Sequence, residues 1–552
     1  MDRNSLLAFL LIAVIIFLMP EYYKLVYPPS PNADSLLVDS EETIKEPPLP
    51  DLNIAPSLSP KKQEEAVRSF FVRTNLYTAE ISSINGGSIA SFVLHNYALN
   101  DSERVELIDN NNINNLMVGF RSVDGEDVSL SGGWVADNDY DINIYERETT
   151  VTFNKAFDDK QISRSLTFYP NKYIIDINVD LSEIQRWVSQ GVSTLSWPGG
   201  LPLTEPNKND EQIYYQAMVF QGDETYAPKP QKPAQAKLER MDYPTDWIAT
   251  RTKYFITALV PQKQAPGSQI LAIQENDDIR YDVGLYFDVS RPFLSTLYIG
   301  PLEYNRIKQL GKNLDRIMNF GWAFIRPISK IVHWFLIFLY KYIPNYGFVL
   351  LVFSVLVKIL VYPLTAKSYT STKKMQAIQP MLNDLREKHK NDQRKFAQAQ
   401  MALFKEHGVN PLSGCVPILL QMTLLFALFT VFRSSIELRG SPFIFWIKAL
   451  SRPDTIFNLG INIPLYGDQF AVLPILMGIT MFIQMKSTPT PQAGVQQKYM
   501  MYFMNGFFVL IFNQFPSGLV LYYTLFNVLT ILQQKYLTPQ SSLEGPINKR
   551  ND

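Results

Sequence analysis

Lys358 lies inside an otherwise apolar run, residues 346–364, that contains no Asp or Glu to neutralise it. In a lipid environment an ammonium on a helix costs about 2.5–3.5 kcal/mol even on lenient insertion scales, so it must reach an interface, pair within a bundle, or face water. Six residues separate it from Leu364, roughly 9 Å along a helix axis. A lysine stem spans that gap, so a lysine stretching to headgroups and a lysine in a wet site are both open from these residues alone. At helical spacing Ser354 (i−4) and Tyr362 (i+4) share its stripe. Other apolar runs carry Gln421, Thr480, Gln484, Asn505, Asn513, Tyr522, Tyr523, Asn527 and Thr530. These side chains suit either a hydrated concavity or ordinary interhelical hydrogen bonding.

Methionines recur at every fourth position in Met477, Met481 and Met485, followed by Met500, Met501 and Met504. Such a face is core packing or a soft surface for varied apolar partners. Enzymatic constellations are sparse. The four histidines (His95, His333, His389, His407) are scattered, no Gly-rich phosphate loop occurs, and no metal-ligand spacing appears. No metal, cofactor or nucleic acid is therefore expected. Carboxylate pairs such as Asp158-Asp159 and Asp277-Asp278 read as turns or surface charge, since adjacent strand residues point to opposite faces.

The elements that must position these groups fall into two electrically opposite parts of a 552-residue chain. Residues 20–345 hold 42 acidic and 31 basic side chains, whereas 346–552 hold 9 acidic and 19 basic. Cys415 is the only cysteine, so no intrachain disulfide forms. Residues 5–19 are fourteen apolar residues after one serine, preceded by Arg3 and followed by Tyr22, Tyr23 and Tyr27. Lacking a small-x-small cleavage site, this segment (1–27) reads as an uncleaved anchor with a cytosolic N-terminus, a cleaved signal peptide being the alternative. A linker with eight prolines follows, 28–65.

From about residue 66 to 302 the pattern has period two: Tyr173, Ile175, Ile177, Val179 and Leu181 alternate with Ile174, Asp176, Asn178 and Asp180, between turn signals such as Asn85-Gly86-Gly87. This predicts a large antiparallel sandwich outside the cytosol. Residues 303–345 turn helical, with Arg326, Lys330, His333 and Lys341 among aromatics, which predicts an amphipathic interfacial helix, with a spanning one as alternative. Four further apolar runs, 411–432, 469–485, 498–515 and 516–534, approach the length of a membrane crossing.

The 366–410 connection carries nine Lys/Arg against four Asp/Glu and is assigned to the cytosol. With six spans both termini are then cytosolic, and 433–469 lies outside despite Arg433, Arg439, Lys448 and Arg452. Within 366–410, Met375, Ile378, Leu382 and Leu385, then Phe396, Ala399 and Leu403, predict two amphipathic helices forming a hairpin. Its basic residues Lys373, Lys374, Arg386, Lys388, Arg394 and Lys395 suit a docking site for a cytosolic partner, or simply a solvated connection.

The stretches YPLTAKSYTSTKKMQAIQP, ALFKEHGVNPLSGCVPILLQM, SSIELRGSPF, LPILMGITMF and FPSGLVLYYTLFNVLTILQQK run in order through residues 346–536. In these the chain resembles the YidC-type membrane-protein insertases of the Oxa/Alb superfamily, in their Gram-negative form. The resemblance implies a polytopic α-helical inner-membrane protein of six spans, with a five-helix insertase core (346–536) and a periplasmic all-β supersandwich (66–302) similar to galactose mutarotases. It implies a groove open to cytosol and lipid but closed toward the periplasm, with Ser354 and Tyr523 at positions that match the family's groove; the polar residues read above add Lys358, Tyr362, Gln421 and Asn527 to it, and Met477, Met481, Met501, Met504, Phe426 and Phe429 are assigned to an apolar client slide. Lys358 stands where the family typically has arginine, which keeps the charge but loses the planar fork. The tail 537–552 holds only Lys549 and Arg550, short of the basic ribosome-binding tail of some relatives. Implied partners are nascent membrane-protein clients, membrane lipids, the Sec translocon, the ribosome and signal-recognition machinery. A transporter reading predicts coupling carboxylates, and the core spans contain none. A carbohydrate-enzyme reading of the β domain predicts histidines, and His95 alone lies in it.

Overall fold

A computed structural model describes residues 67–99, 103–276, 278–390, 392–408, 416–487 and 495–537. The expected anchor 1–27, the linker 28–65, Asp277, Asn410-Pro411, Cys415 and the tail beyond Leu537 lie outside the described residues.

The period-two region forms sheets of nine, six and five strands packed on one apolar core. Strand Ile174–Asp180 shows why: Ile175, Ile177 and Val179 are fully buried while Asp176, Asn178 and Asp180 are half-buried on the other face. It is central, pairing antiparallel with Lys160–Phe168 on one side and Phe293–Pro301 on the other. Asp158, in the left-handed region at φ 55°, and Asp159 make the turn between the strands Thr149–Phe157 and Lys160–Phe168. A short helix, α1 (Lys208–Gln212), lies against this body with Glu211 buried, its start capped by the Asn207 side chain, which accepts from the Asp210 amide.

Helix α2 (Tyr304–Gln309) and a 3₁₀ turn (Leu314–Ile317) lead to α3 (Arg326–Tyr340). α3 buries Val332, Leu336 and Leu339 against the helical core and leaves Ile331, Trp334 and Phe338 exposed. That two-faced distribution follows from the 3.6-residue period and suits a helix at a lipid surface.

Helix α4 (Tyr346–Ala377) runs 32 residues without a break, so the first part of the expected cytosolic hairpin region is a continuation of the apolar helix. Pro363 lies inside it, removing one backbone donor, and Thr365 Oγ1 back-bonds to the carbonyls of Val361 and Tyr362 at 3.1 and 3.0 Å. The hairpin itself is α5 (Gln379–Lys388) and α6 (Gln393–Glu406), closed by Ile378, Leu382 and Phe404 with Met375 and Leu403. Asp392 caps α6 by accepting from the Lys395 amide.

The remaining helices are α7 (Val416–Ser434), α8 (Leu473–Ser487), α9 (Val495–Phe512) and α10 (Ser517–Leu532). Among the described residues one stretch, Tyr346–Pro363, is by itself long and apolar enough to cross a membrane; α7, α8 and α9 contain shorter apolar segments. The apolar run beginning at residue 469 does not start as a helix. Residues Thr455–Ile463 and Gly467–Ala471 form a hairpin, and α8 begins only at Leu473, where the Asp454 carboxylate accepts from the amides of Val472 and Leu473 at 3.0 and 2.8 Å. Only residues 513–516 separate α9 from α10, and Gly518, in the first turn of α10, lets that helix approach Phe432 of α7; a Cβ there would lie 2.5 Å from that ring.

Candidate functional site: a buried cation on a polar helix stripe

Lys358 does not reach for a helix end. It is 9% exposed, and its Nζ donates to Thr530 Oγ1 at 2.6 Å across the α4–α10 contact. The ammonium also stands 4.3 Å from the centroid of the Phe526 ring, a cation–π arrangement. Thr530 in turn donates to the Phe526 carbonyl at 2.6 Å. Among the described residues no carboxylate is ion-paired with Lys358.

α10 is the hub of the site. Tyr523, Asn527, Thr530 and Gln533 recur at spacings of four, three and three, one face of a helix, and each joins a different place. Tyr523 Oη donates to the Gln421 carbonyl of α7 at 3.4 Å, and Asn527 Nδ2 to Thr480 Oγ1 of α8 at 3.3 Å. Gln533 Nε2 donates to Thr365 Oγ1 of α4 at 3.3 Å. Of the expected groove residues, Tyr523 and Asn527 lie on α10 itself, Lys358 of α4 meets that helix at Thr530, and Gln421 of α7 meets it through its backbone carbonyl. Ser354 is fully buried and back-bonded to the Leu350 carbonyl at 2.7 Å, and Tyr362 is 36% exposed.

The expected slide residues divide. Phe426 is exposed and 5.7 Å from the Trp322 ring; Phe429 is half-buried against Phe515. Met481, Met501 and Met504 are half-buried, whereas Met477 is packed in the core at 2% exposure. An apolar groove of about 440 Å³ runs between α8 and α9, bordered by Ile479, Phe482, Tyr502 and Val509. In the hairpin, Lys374, Arg386, Lys388, Arg394 and Lys395 are exposed; the Lys373 side chain lies outside the described part.

Two features were missed in the sequence. Phe526 looks like any packing aromatic, and only its place one turn before Thr530 marks it as a face for the cation. The second is an ion-pair belt joining the helical core to the β sheets. Glu205 accepts from Arg439 Nε and Arg452 Nη2, each at 2.6 Å, and Asp210 pairs with Lys253 at 2.6 Å and with Arg433. Arg439 also donates to the Ala98 carbonyl at 2.8 Å, and Ile436 is buried within the β-domain core.

The profile of the 60Kd inner membrane protein family matches residues 338–543, and that of the YidC periplasmic domain matches 70–335. The chain is 34% identical to a membrane protein insertase YidC of Chlorobaculum parvum, over 99% of this chain and 96% of that one. The chain belongs to the YidC membrane-protein insertase family. The corresponding YidC of Chlorobium luteolum is 33% identical, over 98% and 96% of the two chains. A crystal structure of an active YidC insertase with its first transmembrane domain resolved shares 16% identity, covering 85% of this chain and 95% of that one, with a TM-score of 0.36. Family membership makes this an inner-membrane protein with a periplasmic domain, and an insertase rather than an enzyme.

Proposed function

We propose that the chain inserts and folds nascent inner-membrane proteins, alone or with the Sec translocon, and that Lys358 is the charge that draws the polar part of a client into the bundle. The observation that carries this reading is the placement of an ammonium, without a carboxylate partner among the described residues, on a stripe of hydroxyl and amide groups. A buried cation solvated only by neutral dipoles retains attraction for an incoming Asp or Glu. The client's hydrophilic tail enters beside Lys358, Gln421, Tyr523 and Asn527, with Ser354 and Tyr362 on the same helix. Its apolar segment moves along Phe426, Phe429, Met481, Met501 and Met504, backed by Met477, and reaches lipid. Removing apolar surface from water supplies roughly 25 cal/mol per Å², so no covalent step or cofactor is required.

In this reading residues 5–19, α4, α7, α8, α9 and α10 are six spans, both termini and the α5–α6 hairpin are cytosolic, and the β domain is periplasmic. Its support is that three of the four cations in 433–469 are paired with β-domain carboxylates, so they weigh little as free positive charge. The exposed basic hairpin is the docking surface for ribosome or signal-recognition partners. The test is complementation of insertase-depleted cells with Lys358→Arg, Lys358→Ala and Lys358→Glu, scoring insertion of a small client with an acidic translocated tail. Arginine supports insertion, alanine lowers it and glutamate lowers it most; equal insertion by all three removes the electrostatic role.

A further inference from the structure

Residues 444–466 form an apolar projection at the start of α8 that the insertion reading does not use. From Thr455 to Gly467 there is no charged residue. Ile456, Phe457, Ile461 and Leu465 are 51, 52, 64 and 46% exposed, and Phe445 on the preceding loop is 86% exposed. Hairpins bathed in water protect their edges with charge or cover them, and an isolated two-stranded hairpin is marginal in water.

Backbone conformation supplies an independent observation. Phe445 and Leu465 both lie in the left-handed region, at φ 58° and 69°. For bulky side chains that geometry costs about 1–3 kcal/mol and persists only where the surroundings impose it. Here it holds two large apolar side chains in the open.

The projection is nonetheless firmly seated. Asn513, 1% exposed, donates to the carbonyls of Tyr466 and Gln469 at 2.8 and 2.7 Å and accepts from the Ala471 amide. Asp454 accepts from Trp446 Nε1 at 2.8 Å while capping α8. The hairpin's last strand ends two residues before α8, whose Ile475, Ile479 and Ile483 are exposed. Its apolar surface is thus continuous along the chain with the outward face of α8.

We propose that segment 444–466 inserts its side chains into the lipid leaflet at the N-terminal end of α8, anchoring that end of the helix. The outer edge of the strand Thr455–Ile463, which no third strand covers among the described residues, fixes the depth: bare backbone groups are too costly in the hydrocarbon, so the strands lie among headgroups while Phe445, Phe457, Ile461 and Leu465 reach the acyl boundary. Lys448, exposed three residues after Phe445, suits the phosphate level. The inference rests on α8 being a membrane span.

The full chain with Cys415→Ser, carrying a nitroxide at Phe445→Cys, Ile461→Cys or Leu465→Cys, is reconstituted in bilayers. Collision with oxygen and with a water-soluble nickel chelate is then measured. Ile479→Cys reports the span and Val123→Cys, exposed in the β domain, reports water. The expected result is oxygen accessibility above nickel at 445, 461 and 465, as at 479, with the order inverted at 123. Nickel accessibility at all three sites with 479 in lipid overturns the anchor alone. Loss of both signals means a protein partner or second copy covers the segment and also overturns it. Nickel accessibility at 479 as well removes the span reading. In the unsubstituted chain, a diazirine on a lipid acyl chain is expected to label 444–466 together with α8; labelling of α8 without 444–466 overturns the proposal.

Discussion

Arg439 and Glu205, 234 residues apart in the chain, meet Nε to Oε1 at 2.6 Å, each side chain only 6% exposed. Removing one member of a buried pair strands the other charge, at about 3–5 kcal/mol. Glu205 serves two arginines, Arg439 and Arg452. Glu205→Gln is therefore expected to destabilise more than Arg439→Met, which leaves Arg452 in place. Denaturant unfolding of the full chain in detergent checks the order, and equal effects remove the shared-carboxylate account.

Asp210, on α1, titrates below its ordinary range. Burial alone pushes its carboxyl up, but the Lys253 ammonium and the Arg433 guanidinium outweigh burial and hold it below the usual carboxylate range. A depressed carboxylate contributes stability that is present above its unfolded pKa and is lost as pH falls through the folded value. The β-domain contact with the end of α7 is expected to hold at neutral pH and to weaken as pH falls below the ordinary carboxylate range. Asp210→Asn flattens that acid limb, as read by Arg433 hydrogen exchange or by melting temperature against pH.

Thr530 accepts from Lys358. A hydrogen bond to a charged group contributes about 1.5–3 kcal/mol. Thr530→Val keeps the shape and removes the acceptor, so it is expected to lower stability by that amount. Thr530→Ser restores it, and Lys358→Met with Thr530→Val recovers most of the loss, because no charge is then left unpaired. Melting temperatures in one detergent separate these outcomes.

Asn513 holds the base of the 455–471 hairpin through three side-chain hydrogen bonds to Tyr466, Gln469 and Ala471. Asn513→Leu leaves those backbone groups without partners, at about 1–3 kcal/mol for each buried one. Exchange of the Ala471 amide is expected to accelerate at least ~10-fold, while amides of the strand Ile174–Asp180 keep their rates. Unchanged exchange at Ala471 sinks this account.

Local periodicity made much of the molecule legible. Alternation over 173–181 marks a half-buried strand, and spacing of three and four marks the faces of the α5–α6 hairpin, because those signals reside in neighbouring residues. Lys358 stood out because its cost in lipid is large. Its partner did not: Thr530 was one polar residue among nine, and Phe526 carries no signal beyond its apolarity. The Glu205–Arg439 contact was invisible for a deeper reason, since no local pattern encodes which acidic residue of a sheet body meets which arginine two hundred positions later. Read as unpaired, those arginines weigh against the placement of 433–469 outside the cytosol. The start of α8 was misplaced because hydropathy cannot tell strand Gly467–Ala471 from the first turn of a helix; the Asp454 cap decides that boundary, from fifteen residues upstream of the run's start.

Because α4 continues unbroken to Ala377, the cation and the base of the cytosolic hairpin are mounted on a single lever nineteen residues, or about 28 Å, long. A tilt of ~10° pivoting near Lys358 displaces the far end by ~5 Å, and the missing rung at Pro363 places the most compliant point of that lever five residues from the amine. Whatever grips the hairpin thereby acquires mechanical leverage over the orientation of the charge.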